Sequence, residues 1–340
     1  MADGIKFVHI GLGPMGANIC KLACQKEGFE LVGAIEKVNL GQDAGEVIKV
    51  GKKLGVPLSD DLDAALALNP DIAVHSTLSS LEQVKDQLIT IIRAGVNIVS
   101  TCEELSYPWE TQTAIANELD TLAKENNVTL LGTGVNPGFC MDTFPIVATG
   151  ICQEVRHIRV ARIQDARSRR LPFQKKIGAG CTPKEFEELK QAGSLRHVGL
   201  EESTNMVAAA MGWKIDEYCE TIDPIMTEEN EVSSKYMTVK PGQAVGVEQI
   251  AIGKMKGEEV IRMEFRAYLG APESYDAVYI TGTPDMEVVT KDGIHGDIAT
   301  ASVTVNAIPR VINALAGLLT MKDLPPVHAY AGDWNRLINN

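Results

Sequence analysis

The sequence predicts an α/β fold in which a doubly wound parallel sheet carries a second, α+β domain built on a mostly antiparallel sheet. Three observations predict it. Short apolar runs alternate with helical patterns through the first half of the chain, the arrangement that buries parallel strands between helices. A glycine cluster, Gly11-Leu12-Gly13-Pro14-Met15-Gly16, follows the first run at once. Near residue 155 the pattern switches to period-two alternation, as in Arg156-His157-Ile158-Arg159-Val160-Ala161-Arg162-Ile163, which suits strands with one solvated face. Residues 1–150, completed by a returning segment at 296–340, make the expected first domain, and residues 151–295 the second.

The first run, Ile5-Lys6-Phe7-Val8-His9-Ile10, reads as a strand, residues 17–26 as a helix, and Glu30-Leu31-Val32-Gly33-Ala34-Ile35 as a second strand ending at Glu36. Strand, G-x-G-x-x-G turn, helix, strand and acid in that order are the setting of a Rossmann dinucleotide-binding unit. Gly11 permits the tight turn, Gly13 lets backbone approach a pyrophosphate, and Gly16 lets helix and strand pack closely. Pro14 and Met15 of the same loop are further coenzyme contacts, and the free amides at the helix start favour phosphate charge. Glu36 lies 36 − 16 = 20 positions beyond the last glycine, where a carboxylate meets ribose hydroxyls. Its charge repels a 2′-phosphate, whereas Lys37 beside it can pair with one. NAD is therefore favoured, with NADP also open.

Residues 41–68 read as helical with a break at Gly55-Val56-Pro57, Asp60-Asp61-Leu62-Asp63 resembling a helix start. A third strand at Asp71–His75 ends in Ser76-Thr77, and residues 80–94 make an amphipathic helix with Leu81, Val84, Leu88, Ile91 and Ile92 on one face. Val96–Val99 is a fourth strand, followed by Ser100-Thr101-Cys102-Glu103-Glu104. Pro108 is expected to start a helix to about Glu125, Val128–Leu131 is a fifth strand, and Gly132-Thr133-Gly134-Val135-Asn136-Pro137-Gly138 is its loop. Later come helices at 183–192 and 203–212, alternating strands over 245–290, and a small-residue apolar helix from Asp297 to Leu319 that returns to the first domain, with Pro309 as a kink. In a sheet of this kind the ligand sits at the carboxyl ends of the strands, which selects Gly11–Gly16, Glu36, His75–Thr77, Thr101–Glu104 and Thr133–Gly138.

Bulk composition narrows the function. The chain has 340 residues, 45% of them hydrophobic, enough for two cores, and a net charge of −13. That sign argues against nucleic acid and anionic membrane surfaces as partners. No early basic region precedes an apolar stretch, and no run is long enough to span a bilayer. The seven cysteines, Cys20, Cys24, Cys102, Cys140, Cys152, Cys181 and Cys219, are odd in number and form no C-x-x-C pair. Neither a disulfide framework nor a metal site is expected, and a reducing cytoplasm fits. Cys20 and Cys24 read as small packing residues of the first helix.

A nicotinamide enzyme needs polar groups around the carbon that exchanges hydride. Glu103 and Glu104 follow a strand that ends beside that position, where a carboxylate stabilises a cationic substrate or takes a proton; alternatively both serve the helix start near Pro108. His75 reads as a satisfied strand-end histidine. The Asn136 amide either holds a carboxamide or forms a turn. Arg162, Arg167, Arg169 and Arg170 are candidates for a substrate carboxylate, with Arg162 foremost for its place on the alternating strand. His197 and His295 are weaker substrate-contact candidates; His295 lies in His295-Gly296-Asp297, where Asp297 reads as the N-cap of the returning helix.

Together, Gly11–Gly16, Glu36-Lys37 and Ser76-Thr77 resemble the dihydrodipicolinate reductase type of dinucleotide-binding domain. Ser100-Thr101-Cys102-Glu103-Glu104-Leu105-Ser106-Tyr107-Pro108, Asn136-Pro137-Gly138-Phe139 and His295-Gly296-Asp297 resemble the 2,4-diaminopentanoate dehydrogenases and related native amine dehydrogenases. The resemblance covers nearly the whole chain. It implies reversible oxidative deamination with NAD or NADP: a small amine or diamino acid loses hydride, and the imine is hydrolysed to ketone and ammonia. For 2,4-diaminopentanoate the product is 2-amino-4-oxopentanoate, formed in amino-acid fermentation. The resemblance puts the active-site glutamate at Glu104, with Glu103 a close rival, and implies a homodimer. Two other readings stand beside it: a reductase of a cyclic imine, weakened because the basic His-Lys signature of dihydrodipicolinate reductase is missing from the second domain, and a nucleotide-sensing protein without turnover.

Overall fold

The computed structural model describes residues 4–338. In chain order its elements are β1 (Ile5–Ile10), α1 (Pro14–Cys24), β2 (Phe29–Ile35), α2 (Ala44–Val47), β3 (Leu58–Ser59), α3 (Leu62–Leu66), β4 (Ile72–His75), α4 (Leu81–Arg93), β5 (Asn97–Ser100), α5 (Thr113–Glu125) and β6 (Thr129–Gly132). There follow α6 (Thr143–Ala148), β7 (Glu154–Asp165), α7 (Leu171–Lys176), α8 (Pro183–Gln191), α9 (Leu200–Met211), β8 (Glu217–Met226), β9 (Val232–Ser233), β10 (Thr238–Val239), β11 (Ala244–Met255), β12 (Glu258–Tyr268), β13 (Tyr275–Thr283) and β14 (Met286–Lys291). The chain closes with α10 (Gly296–Ile312) and β15 (Gly317–Leu319). It divides into two compact units: one runs to Phe139 and resumes at His295, and the other is Cys140–Ile294.

The first unit is a seven-stranded sheet in the order β15-β6-β5-β4-β1-β2-β3, parallel at every pairing. Strand order reverses between β1 and β4, and at such a switch point a crevice opens beyond the carboxyl ends. The strands are short and buried on both faces, as parallel strands between helices must be. The expected face of α4 is buried, with Leu81, Leu88, Ile91 and Ile92 at 0% exposure and Val84 at 2%. The core they join includes Val8 and Ile10 of β1, Ile98 of β5 and Leu119 of α5.

The Cys140–Ile294 unit is built on a six-stranded sheet, β14-β13-β7-β12-β11-β8. All its pairings are antiparallel except β7 with β12. Helix α8 starts at a capping box: the Thr182 hydroxyl accepts from the Glu185 amide while the Glu185 carboxylate accepts from the Thr182 amide. Helix α9 packs on β11 and β12. Gly253 of β11 makes room for it, because a Cβ there would stand 3.1 Å from the Thr204 methyl.

Four local expectations are corrected. The first helix starts at Pro14, three residues earlier than read, since proline is pre-organised for the first turn. Residues 41–68 are not a broken helix but two short helices, α2 and α3, with β3 between them pairing to β2. Gly41, Gly51 and Gly55 take positive φ, and Asp43 closes the intervening loop by accepting from the amides of Gly45, Leu54 and Gly55. Pro108 does not start α5. Gln112 precedes that helix with φ −137° and ψ 47°, a non-helical backbone. The returning helix ends at Ile312, and Gly317–Leu319 becomes the edge strand β15; its N-cap position is His295, with Asp297 inside the first turn.

Candidate active site

The loops after β1, β4, β5 and β6 enclose a cleft of about 290 Å³ lined by Gly13, Pro14, Met15, Gly16, Ser76, Thr77, Thr101, Glu103, Thr133 and Asn136, with Thr300 of α10. A second cleft of about 620 Å³ shares Gly13, Ser76 and Thr77 with it and adds Gly11, Glu36, Lys37, Asp60, Asp86 and Gln87. The two form one trough across the carboxyl edge of the sheet, near the switch point.

The glycine loop fits a dinucleotide. Gly11 has φ +87°, and a Cβ on it would stand 2.3 Å from the Ser76 carbonyl oxygen; one on Gly16 would stand 1.9 Å from the Gly11 oxygen. A Cβ on Gly13 would meet nothing within 4 Å, so that position faces open space and needs glycine only if something else comes close. No side chain caps α1 and no acid lies in its first turn, which leaves the positive end of the helix for an anion. Glu36 is tied to this loop. Its carboxylate oxygens accept from the Leu12 and Lys37 amides, each at 2.7 Å, which fixes the group at the wall of the larger cleft.

Below the loop lie two buried histidines. Burial lowers His9 to about 3 and His75 to about 4, so both are neutral. His75 Nδ1 lies 2.8 Å from Ser100 Oγ, and Nε2 lies 2.9 Å from both Gln87 Oε1 and Thr77 Oγ1. The Gln87 oxygen can only accept, which assigns the proton to Nε2. Thr77, one wall of the trough, is held from behind by this ring. Ser76 Oγ meets Thr101 Oγ1 at 3.0 Å, joining the next two loops.

The adjacent glutamates have different surroundings. Glu104 Oε2 accepts from the Leu81 backbone amide at 2.7 Å and from the Gln112 side-chain Nε2 at 2.5 Å, so it caps α4 and ties that helix to the approach to α5. Glu103 is the ionisable side chain among the residues lining the smaller cleft. The Asn136–Pro137 peptide is cis, and Asn136 lines the cleft. Arg162 is 3% exposed and bonded to Asp276 at 2.9 Å. Arg167 is bonded to Asp165, Arg169 stacks over Phe173, Arg170 is exposed, and His197 stacks on Phe265 with ring centroids 4.6 Å apart. His295 is exposed. Sequence reasoning missed Thr300, whose hydroxyl accepts from the Val135 amide at 3.2 Å. Nothing local marks it, because the bond spans 165 positions of chain.

Comparison with known proteins bears on the chemistry. Residues 139–340 match the family model of the 2,4-diaminopentanoate dehydrogenase C-terminal domain, and residues 5–106 match that of the dihydrodipicolinate reductase N-terminus. The chain is 34% identical to a 2,4-diaminopentanoate dehydrogenase of Acetoanaerobium sticklandii, over 99% of this chain and 98% of that one. It is 24% identical to an amine dehydrogenase of Streptomyces virginiae, covering 93% and 92%. A solved amine dehydrogenase of Mycobacterium smegmatis superposes with a TM-score of 0.83 at 26% identity, covering 96% of this chain and 97% of that one. The trough built for a dinucleotide and these matches, which span both units, place the chain in the 2,4-diaminopentanoate dehydrogenase family, as an NAD(P)-dependent oxidoreductase of the amine dehydrogenase kind.

Proposed function

We propose that the protein catalyses the oxidative deamination of 2,4-diaminopentanoate to 2-amino-4-oxopentanoate and ammonia, and the reverse reductive amination. The single observation that carries the mechanism is Glu103 in the cleft beside the glycine loop. A nicotinamide coenzyme held by the glycine loop would supply the acceptor for hydride from the amine-bearing carbon. The carbon–nitrogen double bond left on the substrate is cationic, and the Glu103 carboxylate beside it lowers its energy. The same carboxylate accepts the proton of the water that adds to that carbon. Glu104, engaged with the Leu81 amide and Gln112, holds the loop that presents its neighbour. Gly11, Gly13, Pro14, Met15, Gly16, Ser76, Thr77 and Asn136 hold the coenzyme. Glu36, kept in place by two amides, receives the ribose hydroxyls and selects NAD over NADP despite Lys37.

The match of residues 139–340 to the diaminopentanoate family favours this reaction over reduction of a cyclic imine. The test is an initial-rate screen of 2,4-diaminopentanoate and simple primary amines with NAD⁺ and with NADP⁺, following reduced coenzyme and ammonia together. Amine-dependent reduction with equal ammonia release is expected, fastest with the diamino acid and NAD⁺. Coenzyme binding without turnover of any amine would overturn the proposal. Sedimentation of the same preparation tests the homodimer, and fractionation the cytoplasmic location.

A further inference from the structure

We propose that Arg162 and Asp276 form a buried clamp that holds the point at which the chain leaves the Cys140–Ile294 unit, and that they act on the reaction through position rather than by binding substrate. The ion pair is closed on itself. Arg162 Nη1 donates to Asp276 Oδ1 at 2.9 Å, and the two side chains are 3% and 7% exposed. Both also grip the peptide units at one residue: Arg162 Nη2 donates to the Ile294 carbonyl at 2.8 Å, and the Ile294 amide donates to Asp276 Oδ2 at 2.6 Å. Ile294 is the last residue of this unit. Gln164, with its carboxamide oxygen turned to Arg162, accepts from Nε and Nη2 at 3.1 and 2.6 Å. The guanidinium therefore has few donors left for a substrate carboxylate.

The other crossing point is electrostatically linked to the same pair. Cys140 is the first residue of the unit, and its thiol feels the opposed charges of Arg162 and Asp276. Burial raises that thiol to about 12, against a downward pull from Arg162. Both segments lead from the clamp to cleft residues. Asn136 stands 140 − 136 = 4 positions before Cys140, and Thr300 stands 300 − 294 = 6 after Ile294. Buried charges cost desolvation, which only well-made bonds offset. Spending that cost on the backbone of one crossing peptide makes sense if its placement matters.

The test uses the full chain with Asp276→Asn, Arg162→Lys and the double variant Arg162→Met/Asp276→Leu, the last removing both buried charges together so that the fold survives. Hydrogen exchange is followed at the Ile294 and His295 amides, with β11 amides as the control. Kinetics compare 2,4-diaminopentanoate with 2-aminopentane, which lacks the carboxylate. Exchange at Ile294 should rise about tenfold or more while β11 is unchanged. The kcat should fall by a similar factor for both amines, with the ratio of their KM values kept. A KM that rises only for the diamino acid would make Arg162 a carboxylate ligand and overturn the clamp. Unchanged exchange, or faster exchange with kcat intact, would overturn it as well. The kinetic arm rests on the proposed reaction; the exchange arm does not, so their failures are distinguishable.

Discussion

The two units treat their polar side chains in opposite ways. In the parallel-sheet unit the polar side chains of the trough stand at strand ends, and several are held from behind by others: Thr77 by His75, Glu36 by two amides, Ser76 by Thr101. In the Cys140–Ile294 unit charged groups bond one another across strands and loops, as in Arg159 with Glu264, Arg162 with Asp276 and Arg196 with Glu220. Residues of one kind thus serve two ends. Loops beyond a buried sheet can present donors and acceptors to a ligand, whereas groups on a long half-covered sheet find partners within reach and stabilise the fold instead.

The sharpest way to break this contrast is at the adjacent glutamates. Glu103→Gln should lower kcat about 10³-fold with the unfolding midpoint kept, since the amide cannot offset a developing positive charge. Glu104→Gln should instead lose about 1 kcal/mol of stability through its weaker cap on α4. Initial rates and urea unfolding of both variants decide the matter, and the reverse pattern would return the catalytic role to Glu104. Next in size is Glu220→Ala, which strips partners from Arg196, Gln249 and Tyr218. It should cost about 2–3 kcal/mol in urea unfolding and leave the coenzyme Kd unchanged; a shifted Kd would refute the division of labour.

The histidines under the trough predict a pH dependence. In the fold both are neutral, at about 3 for His9 and 4 for His75, from a usual value of 6.5. The unfolded chain takes up their protons first. Their contribution to stability is therefore complete above 6.5 and is lost as pH falls toward those folded values. Near pH 4.5 the loss should be on the order of 2–3 kcal/mol for each. Urea midpoints across that window check it, with His75→Gln flattening the slope. The smallest effect is at the glycine loop: Gly13→Ala should weaken coenzyme about tenfold, or roughly 1.4 kcal/mol, with the unfolding midpoint kept. Calorimetric titration with NAD⁺ reads it, and an unchanged Kd would take the pyrophosphate away from Gly13.

Much of the first unit was legible because its signals are local. The glycine spacing, the acid after β2 and the buried face of α4 each lie within one supersecondary unit, so short-range sterics and periodicity suffice. The misread stretch at 41–68 carries apolar spacing that passes for a helix, but three positive-φ glycines and the Asp43 bonds turn it into loop. Gly317–Leu319 reads as a helix tail alone, and is a strand because β6 offers a free edge.

By itself, the sequence determined the inner strands of the parallel sheet, the helix α4 between two of them, the dinucleotide loop and the edge of the sheet that carries it, because these follow from backbone sterics and from where apolar side chains must go. Only the tertiary structure decided which of two adjacent acids faces the cleft, that Thr300 joins it and that Arg162 is already engaged. Those outcomes depend on which distant donors and acceptors the fold brings within reach of each group, and no pattern within a short window encodes that.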